Sequence, residues 1–184
     1  MQILKNSLFY LLLLISPSLL AQEEIDDATS INGLQLASTL ESLKSELQLI
    51  TGKESIYQNN QWLAESVKRN LDAGIQEGIY QGFPLRIVNG QEAHDLRLTY
   101  LSGSLYKCRW TFNKRDIPNM ESGVNDFITY FTKKFGSPTE SYSNETIIWE
   151  GNVNRLTINY YDGTIQIEWR NEGSESKAKQ LIQG

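Results

Sequence analysis

The dipeptide Asp162-Gly163 lies between two segments in which apolar and polar residues alternate. Asp-Gly is favoured in two-residue hairpin turns, because both central residues of such a turn take positive φ values. Counting outward from this turn places three pairs of apolar residues opposite one another: Tyr160 and Ile165, Ile158 and Ile167, and Leu156 and Trp169. The residues between them then point to water: Thr157, Asn159, Gln166 and Glu168. The pattern predicts a sheet with one apolar face that another layer must cover.

An amphipathic helix is predicted to provide that cover. It follows Asn119, a residue type favoured at helix N-caps, and its apolar residues recur at intervals of three or four: Met120, Val124, Phe127, Ile128, Phe131 and Phe135. Gly136 can end this helix, and Pro138 prevents it from resuming. A strand over Thr146–Glu150 is predicted between the helix and the hairpin.

The first half of the chain has the same order of helix and strands, without a residue-level repeat. Residues 38–41 have the sequence Ser-Thr-Leu-Glu, the spacing of a capping box, which predicts a helix that ends at Gly52. Its apolar residues follow at helical intervals: Leu40, Leu43, Leu47 and Ile50. A short strand is predicted over residues 31–36. Residues 53–83 are the least regular stretch, and a second helix is predicted over about 60–73.

From Pro84 onward the pattern becomes that of β-strands. Strands are predicted over residues 85–88, 96–101 and 105–112, with a turn at residues 102–104. In the last of these strands, alternation assigns one apolar face: Tyr106, Cys108, Trp110 and Phe112. The predicted fold class is therefore α+β, an antiparallel sheet covered on one face by amphipathic helices.

The chain is predicted to contain one α+β domain over residues 31–170. This domain can also be divided into a tandem of two helix-plus-strands units, over residues 31–113 and 114–170. The acidic residues 22–30 are predicted to form a flexible leader, and residues 171–184 a polar C-terminal tail.

Residues 1–21 have the features of a secretory signal peptide, because Lys5 precedes a leucine-rich run and Ala21 precedes polar sequence. Only residues 8–15 are uninterruptedly apolar, whereas a helix that spans a bilayer needs about 20 apolar residues. Cleavage after Ala21 is therefore predicted. The product is an exported protein, periplasmic or secreted, without a stable transmembrane anchor.

Composition argues against several classes of function. The 184 residues include 17 Lys and Arg against 22 Asp and Glu, a formal net charge of −5, which disfavours binding to nucleic acid. The single cysteine permits no intramolecular disulfide. One cysteine and one histidine do not make a cluster of metal ligands, and no metal or cofactor is predicted.

Cys108 and His94 are the candidate pair for nucleophilic catalysis. A cysteine nucleophile needs an exposed site that favours the thiolate. Alternation places Cys108 on the apolar face, where a free cysteine acts as a small hydrophobe. His94 is expected in a loop or at a strand edge. A small extracytoplasmic hydrolase that uses Cys108 or scattered carboxylates stays an alternative function.

Arg97, Lys107 and Arg109 are predicted on the polar face of adjacent strands. In an otherwise acidic protein they would concentrate positive charge on part of one sheet. They are the candidate contacts for an anion, an acidic partner or a lipid head group, and the alternative is a solvated face without a role.

Three features of the second half follow one another: a helix that ends at Phe135-Gly136-Ser137-Pro138, a strand with Ile148-Trp149, and the Asp162-Gly163 hairpin. In this order the second half resembles small envelope domains of the BamE and β-lactamase-inhibitor-protein type. The resemblance covers about a third of the chain, and residues 36–39, Leu-Ala-Ser-Thr, depart from the Gly-Met-Thr-like motif of those families. It implies a non-catalytic, protein-binding envelope module.

The resulting hypothesis is an exported α+β binding or interaction module without catalytic activity. Its partner is expected to be an envelope protein or a small ligand. A second alternative is a carrier that holds an apolar ligand between sheet and helix, which the four Trp, nine Tyr and six Phe residues favour.

Overall fold

The computed structural model describes residues 25–28, 30–50, 61–142 and 145–183, without the side chains of Gln61 and Leu63. The α-helices are α1 (Leu40–Leu43), α2 (Gln61–Asp72), α3 (Met120–Phe135) and α4 (Glu172–Gln183). The strands are β1 (Leu47–Leu49), β2 (Ile75–Tyr80), β3 (Ile87–Val88), β4 (Gln91–Glu92), β5 (Asp95–Leu101), β6 (Ser104–Asn113), β7 (Glu140–Tyr142), β8 (Thr146–Glu150), β9 (Asn154–Tyr161) and β10 (Thr164–Asn171). The predicted signal peptide, residues 1–21, lies outside the described residues.

Eight strands form one antiparallel sheet in the order β1-β2-β5-β6-β10-β9-β8-β7. Strands β3 and β4 form a separate two-stranded ribbon. The predicted α+β fold class is confirmed. Each half of the chain contributes four strands, and the central pair of β6 and β10 joins the two halves.

The predicted hairpin register is confirmed. Asp162 and Gly163 have φ values of 47° and 68°, so both central residues of the turn lie in the left-handed region. All three predicted apolar pairs lie opposite one another between β9 and β10. The residues predicted to point to water, Thr157, Asn159, Gln166 and Glu168, are all partly exposed, and the side chain of Glu168 is 13% exposed.

Helix α3 begins and ends where the sequence predicts. The side-chain Oδ1 of Asn119 accepts a hydrogen bond from the backbone N–H of Ser122 at 3.2 Å. Gly136 follows the helix with φ at 76°. The indole N–H of Trp149, on β8, donates to the carbonyl oxygen of Gly136 at 2.9 Å, so the end of the helix is fixed to the sheet.

Aromatic side chains fill the space between α3 and the sheet. The ring centroid of Phe131 lies 5.9 Å from those of Phe135 and Trp149, and the centroids of Phe112 and Phe127 are 4.8 Å apart. All five side chains are at most 1% exposed. This space, in which the carrier alternative places an apolar ligand, is therefore occupied by the protein's own core.

A β-bulge changes the face of one residue of β6. The register shifts between Thr99 and Tyr100 of β5, which leaves Tyr106 of β6 without a residue directly opposite. Leu105 lies in the main core instead, and Tyr106 packs on the other face of the sheet. The predicted placement of Tyr106 with Cys108 is wrong, because the extra residue interrupts the alternation.

The predicted helix that ends at Gly52 is also wrong. Helix α1 has a single turn, a 3-10 turn follows, and β1 then pairs with β2. Leu47 of β1 lies against Gly78 of β2, where an added Cβ would be 2.7 Å from Leu47 Cγ. Because Gly78 has no side chain, β1 can lie close to β2, and this strand pairing outweighs the helical spacing of the apolar residues. No capping box forms, since Ser38 Oγ donates to the carbonyl oxygen of Gln35 at 2.5 Å.

Of two strands predicted in the first half, one is absent and the other is shorter than expected. Residues 31–36 contain a tight turn closed by a bridge between Ile31 and Leu34, not a strand. Of residues 85–88, only Ile87–Val88 is extended, because a 3-10 turn comes before it. The predicted bounds of α2, β5 and β6 are confirmed to within two residues.

The described part of the acidic leader packs into the fold. Ile25 is 0% exposed and belongs to the main core. The Asp26 carboxylate accepts hydrogen bonds from three successive backbone N–H groups of the β8–β9 connection and the first residue of β9: Asn152 at 2.6 Å, Val153 at 3.0 Å and Asn154 at 2.8 Å. Gly151 allows this approach, since a Cβ there would overlap the carboxylate. The prediction of a flexible leader is wrong for residues 25–28.

The predicted polar tail is wrong as well, because residues 172–183 form helix α4. Ala178 is 2% exposed and, with the partly buried Ile182, packs against the sheet face opposite α3. The residues it meets there are apolar: Ile75, Leu101 and Tyr106. Helix α4 therefore covers one end of a sheet face that is predicted from the sequence to be exposed to water.

Candidate binding face of the sheet

Beyond the part that α4 covers, the polar face of the sheet contains a shallow depression of about 520 Å³. We call it the sheet depression and define it by the residues that line it: Ile79, His94, Asp95, Arg97, Arg109, Thr111 and Gln166. These residues come from β2, β5, β6 and β10 and from the residue before β5. No described helix residue lines it, so its base is sheet alone.

Two of the three predicted contact residues come together in the sheet depression. Arg97 of β5 lies directly opposite Arg109 of β6. Lys107 lies further along β6, where Glu175 of α4 approaches it to 3.4 Å. The structure therefore separates Lys107 from the two arginines.

Arg97 is held by carboxylates on its own strand and on β2. Its Nε donates to Asp95 Oδ2 at 2.8 Å, and one of its terminal nitrogens lies 3.5 Å from Glu77 Oε1. The hydrogen bond to Asp95 raises the pKa of the Arg97 guanidinium above its usual value. Its charge is fixed and partly neutralised.

Arg109 makes a two-nitrogen contact with Glu168 of β10. The two nitrogens donate to the same carboxylate oxygen at 3.0 and 2.7 Å. The other oxygen of Glu168 accepts from Arg170 at 2.9 Å. The predicted concentration of positive charge is thus a network of ion pairs in which guanidinium and carboxylate groups alternate.

The pKa of Glu168 lies below its usual value. Burial alone would raise it, but the hydrogen bonds and charges of Arg109, Lys107 and Arg170 outweigh that effect. A general acid in catalysis needs the opposite shift, so Glu168 is unsuited to that role.

Glu168→Gln is expected to destabilise the protein at pH 7 and to have little effect in acid. Because the folded-state pKa of Glu168 is lowered, its contribution to stability is present above the unfolded pKa of about 4.3 and is lost as pH falls through the folded pKa. Urea unfolding of both proteins at pH 7, 5 and about 3.5 measures this difference. Glu121→Gln, at an exposed position on α3, is the control. A difference between wild type and Glu168→Gln that stays constant with pH would contradict the assignment.

Cys108 and His94 do not form a catalytic pair. Cys108 is 0% exposed on the core side of β6, and burial raises the pKa of its thiol well above the usual value. Its S–H points to the carbonyl oxygen of Trp169 at 3.5 Å. His94 is exposed and lines the sheet depression on the other face. The sheet itself lies between the two side chains.

The carboxylates that neutralise the arginines are not assigned to the site by sequence reasoning. Asp95 lies two residues before Arg97 on one strand, so alternation contained a signal for their shared face. Glu168 is 59 residues from Arg109, and its contact depends on the pairing of β10 with β6. No local sequence pattern predicts the pairing of β10 with β6.

Within the described residues, no group of three or more His, Cys, Asp or Glu side chains could hold a metal ion. The helices of that part of the chain include none of the length and apolar character needed to cross a membrane. Comparison of the whole chain with family models, curated proteins and solved structures found no match.

Proposed function

We propose that this chain is an exported, non-catalytic binding module that recognises a partner protein through the sheet depression. The observation that carries this proposal is the pair of directly opposed arginines, Arg97 and Arg109, at the base of an uncovered polar sheet face. Arginine is enriched in protein interfaces, where its planar group forms directional ion pairs.

Arg97 and Arg109 are each paired with a carboxylate, but a guanidinium group has five N–H donors, so each arginine keeps donors for an acidic group of a partner. A partner carboxylate that enters between the two arginines would find donors on both sides, next to the neutral Thr111 and Gln166. Asp95 and Glu168 hold the guanidinium groups in place beforehand, so little side-chain entropy is lost on binding. Such contacts contribute to specificity and association rate more than to affinity.

Two further features support this function over its alternatives. The core between α3 and the sheet is filled by aromatic side chains, which favours a surface site over an internal carrier cavity. The pattern of residues 1–21 supports export. The resemblance of the second half to small envelope domains points in the same direction.

Site-specific photo-crosslinking in the cells that naturally make this protein tests the proposal. The full chain, with a photo-reactive residue at Gln166 in the depression, is expected to give one discrete adduct with another protein. Arg97→Gln should lower the adduct yield by about tenfold, because one charged donor to the partner is lost. Mass spectrometry of the adduct should find the chain beginning at Gln22.

The matched control carries the photo-reactive residue at Lys133, an exposed position of α3 on the other side of the molecule. If the adduct forms in equal yield from the photo-reactive residue at Lys133 and at Gln166, binding through one specific face is refuted. Recovery of adducts that retain residues 1–21 would refute export with cleavage.

A further inference from the structure

A second cavity, of about 160 Å³, lies between α2, α4 and the strands β2, β5 and β6. It is separate from the sheet depression, and we call it the interhelical cavity. Its walls include two carboxylates, two ammonium groups and a set of apolar side chains: Glu77, Glu175, Lys107, Lys179, Ile75, Ala178 and Ile182.

Glu175 is the unusual group in this cavity. The residue is only 8% exposed, and its buried Oε2 accepts no hydrogen bond from any described residue. The ammonium nitrogen of Lys107 lies 3.4 Å from Oε2, and that of Lys179 lies 3.5 Å from Oε1. Charge-assisted hydrogen bonds are shorter, about 2.7–2.9 Å. The contact with Lys107 is too long for a strong hydrogen bond, so this buried oxygen favours a ligand that brings N–H groups at shorter distance.

The cavity also selects by charge. Its two carboxylates and two ammonium groups balance, so a ligand that carries one charge of each sign matches it better than a simple cation or anion. The cavity is small and partly open to solvent, where the side chain of Lys179 is 62% exposed, so a small ligand suits it. Ala178 and Ile182 offer an apolar wall for a short hydrocarbon group.

We propose that the interhelical cavity binds a free α-amino acid of the size of glycine or alanine in its zwitterionic form. The ligand ammonium donates to Glu175 Oε2, and the ligand carboxylate accepts from Lys107 and Lys179. The methyl group of alanine packs against Ala178 and Ile182. This site uses none of the residues of the sheet depression, so it is independent of the function proposed above.

Titration of the purified protein with L-alanine, followed by methyl NMR and calorimetry, tests the proposal. Saturable binding is expected, with a dissociation constant on the order of 1 mM, because a small ligand in a cavity that is partly open to water reaches only part of the affinity possible for its size. Propionate lacks the ammonium group and ethylamine lacks the carboxylate. Each should bind at least about tenfold more weakly.

Glu175→Gln keeps the shape of the side chain and removes its charge, and it should also weaken alanine binding by about tenfold or more. Lys177→Gln, at an exposed position of α4, should bind alanine as the wild type does. Contacts between the ligand methyl group and the methyl groups of Ala178 and Ile182, seen as nuclear Overhauser effects in the wild type, locate the ligand even if Glu175→Gln does not fold. Absence of saturation, equal binding of ethylamine or propionate, or ligand contacts elsewhere would overturn the proposal.

Discussion

Phe131→Ala is expected to lower the free energy of unfolding by about 3–5 kcal/mol. Phe131 is 0% exposed, and its ring lies between the edge of Tyr130 and the rings of Phe135 and Trp149. Alanine there removes apolar burial and leaves a cavity that the surrounding rings cannot fill completely. Because whole domains are stable by only about 5–15 kcal/mol, urea unfolding should show a large shift of the midpoint.

Ser122→Ala is the matched control on the same helix. Its side chain is exposed, so the change should stay within about 0.5 kcal/mol. A loss for Phe131→Ala as small as that of the control would mean that α3 does not pack on the sheet through this ring.

Asp26→Ala is expected to lower the free energy of unfolding by about 2–3 kcal/mol. The substitution removes the acceptor of three backbone N–H groups, one of which belongs to the buried Asn154. The contacts are charge-assisted, which makes each stronger than a neutral hydrogen bond. Hydrogen exchange should be faster at the amides of Asn152, Val153 and Asn154 in the variant.

The neighbouring Asp27 supplies the control, because its side chain is exposed. Asp27→Ala should change stability by no more than about 0.5 kcal/mol. Equal effects of the two substitutions, or unchanged exchange at residues 152–154, would show that the carboxylate of Asp26 does not anchor the N-terminal segment.

The second half of the fold follows from local signals in the sequence. The Asp162-Gly163 turn sets the register of its hairpin, and Asn119 and Gly136 set the ends of α3, because each signal acts within a few residues. Alternation of apolar and polar residues also predicts the buried face of β6 correctly from Cys108 onward, and it is wrong only at the bulge, where Tyr106 lies. Elements of this kind depend on backbone preferences that the sequence displays directly.

The errors fall where distant contacts decide the local structure. Leu47 belongs to a helical pattern but becomes extended, because β1 docks beside Gly78 on β2. Ile25 and Asp26 belong to an acidic, leader-like stretch but are fixed by residues more than 120 positions away. Tertiary packing overrides local propensity in both cases.

The candidate site was predictable only in part. Alternation puts Arg97 and Arg109 on one face, and the structure agrees. It also puts Lys107 with them, but α4 contacts that side chain through Glu175. The pairing of β6 with β10 brings Glu168 to Arg109, and that long-range pairing has no signature in either segment alone.

The anchor at Asp26 has a consequence for the order in which the protein can fold. Ribosomes make the N-terminus first, so Asp26 exists long before Asn152 and Asn154, which lie 126 and 128 positions later. The central β6–β10 pair has the same property, since Cys108 and Trp169 are 61 positions apart. The N-terminal segment can dock through Asp26 only after Asn154 has been synthesised, and the eight-stranded sheet can be completed only after β10 has been synthesised. Contacts of such long separation make folding slow. Before that point Asp26 has none of these three backbone partners, so the anchor can form only when most of the chain has been made.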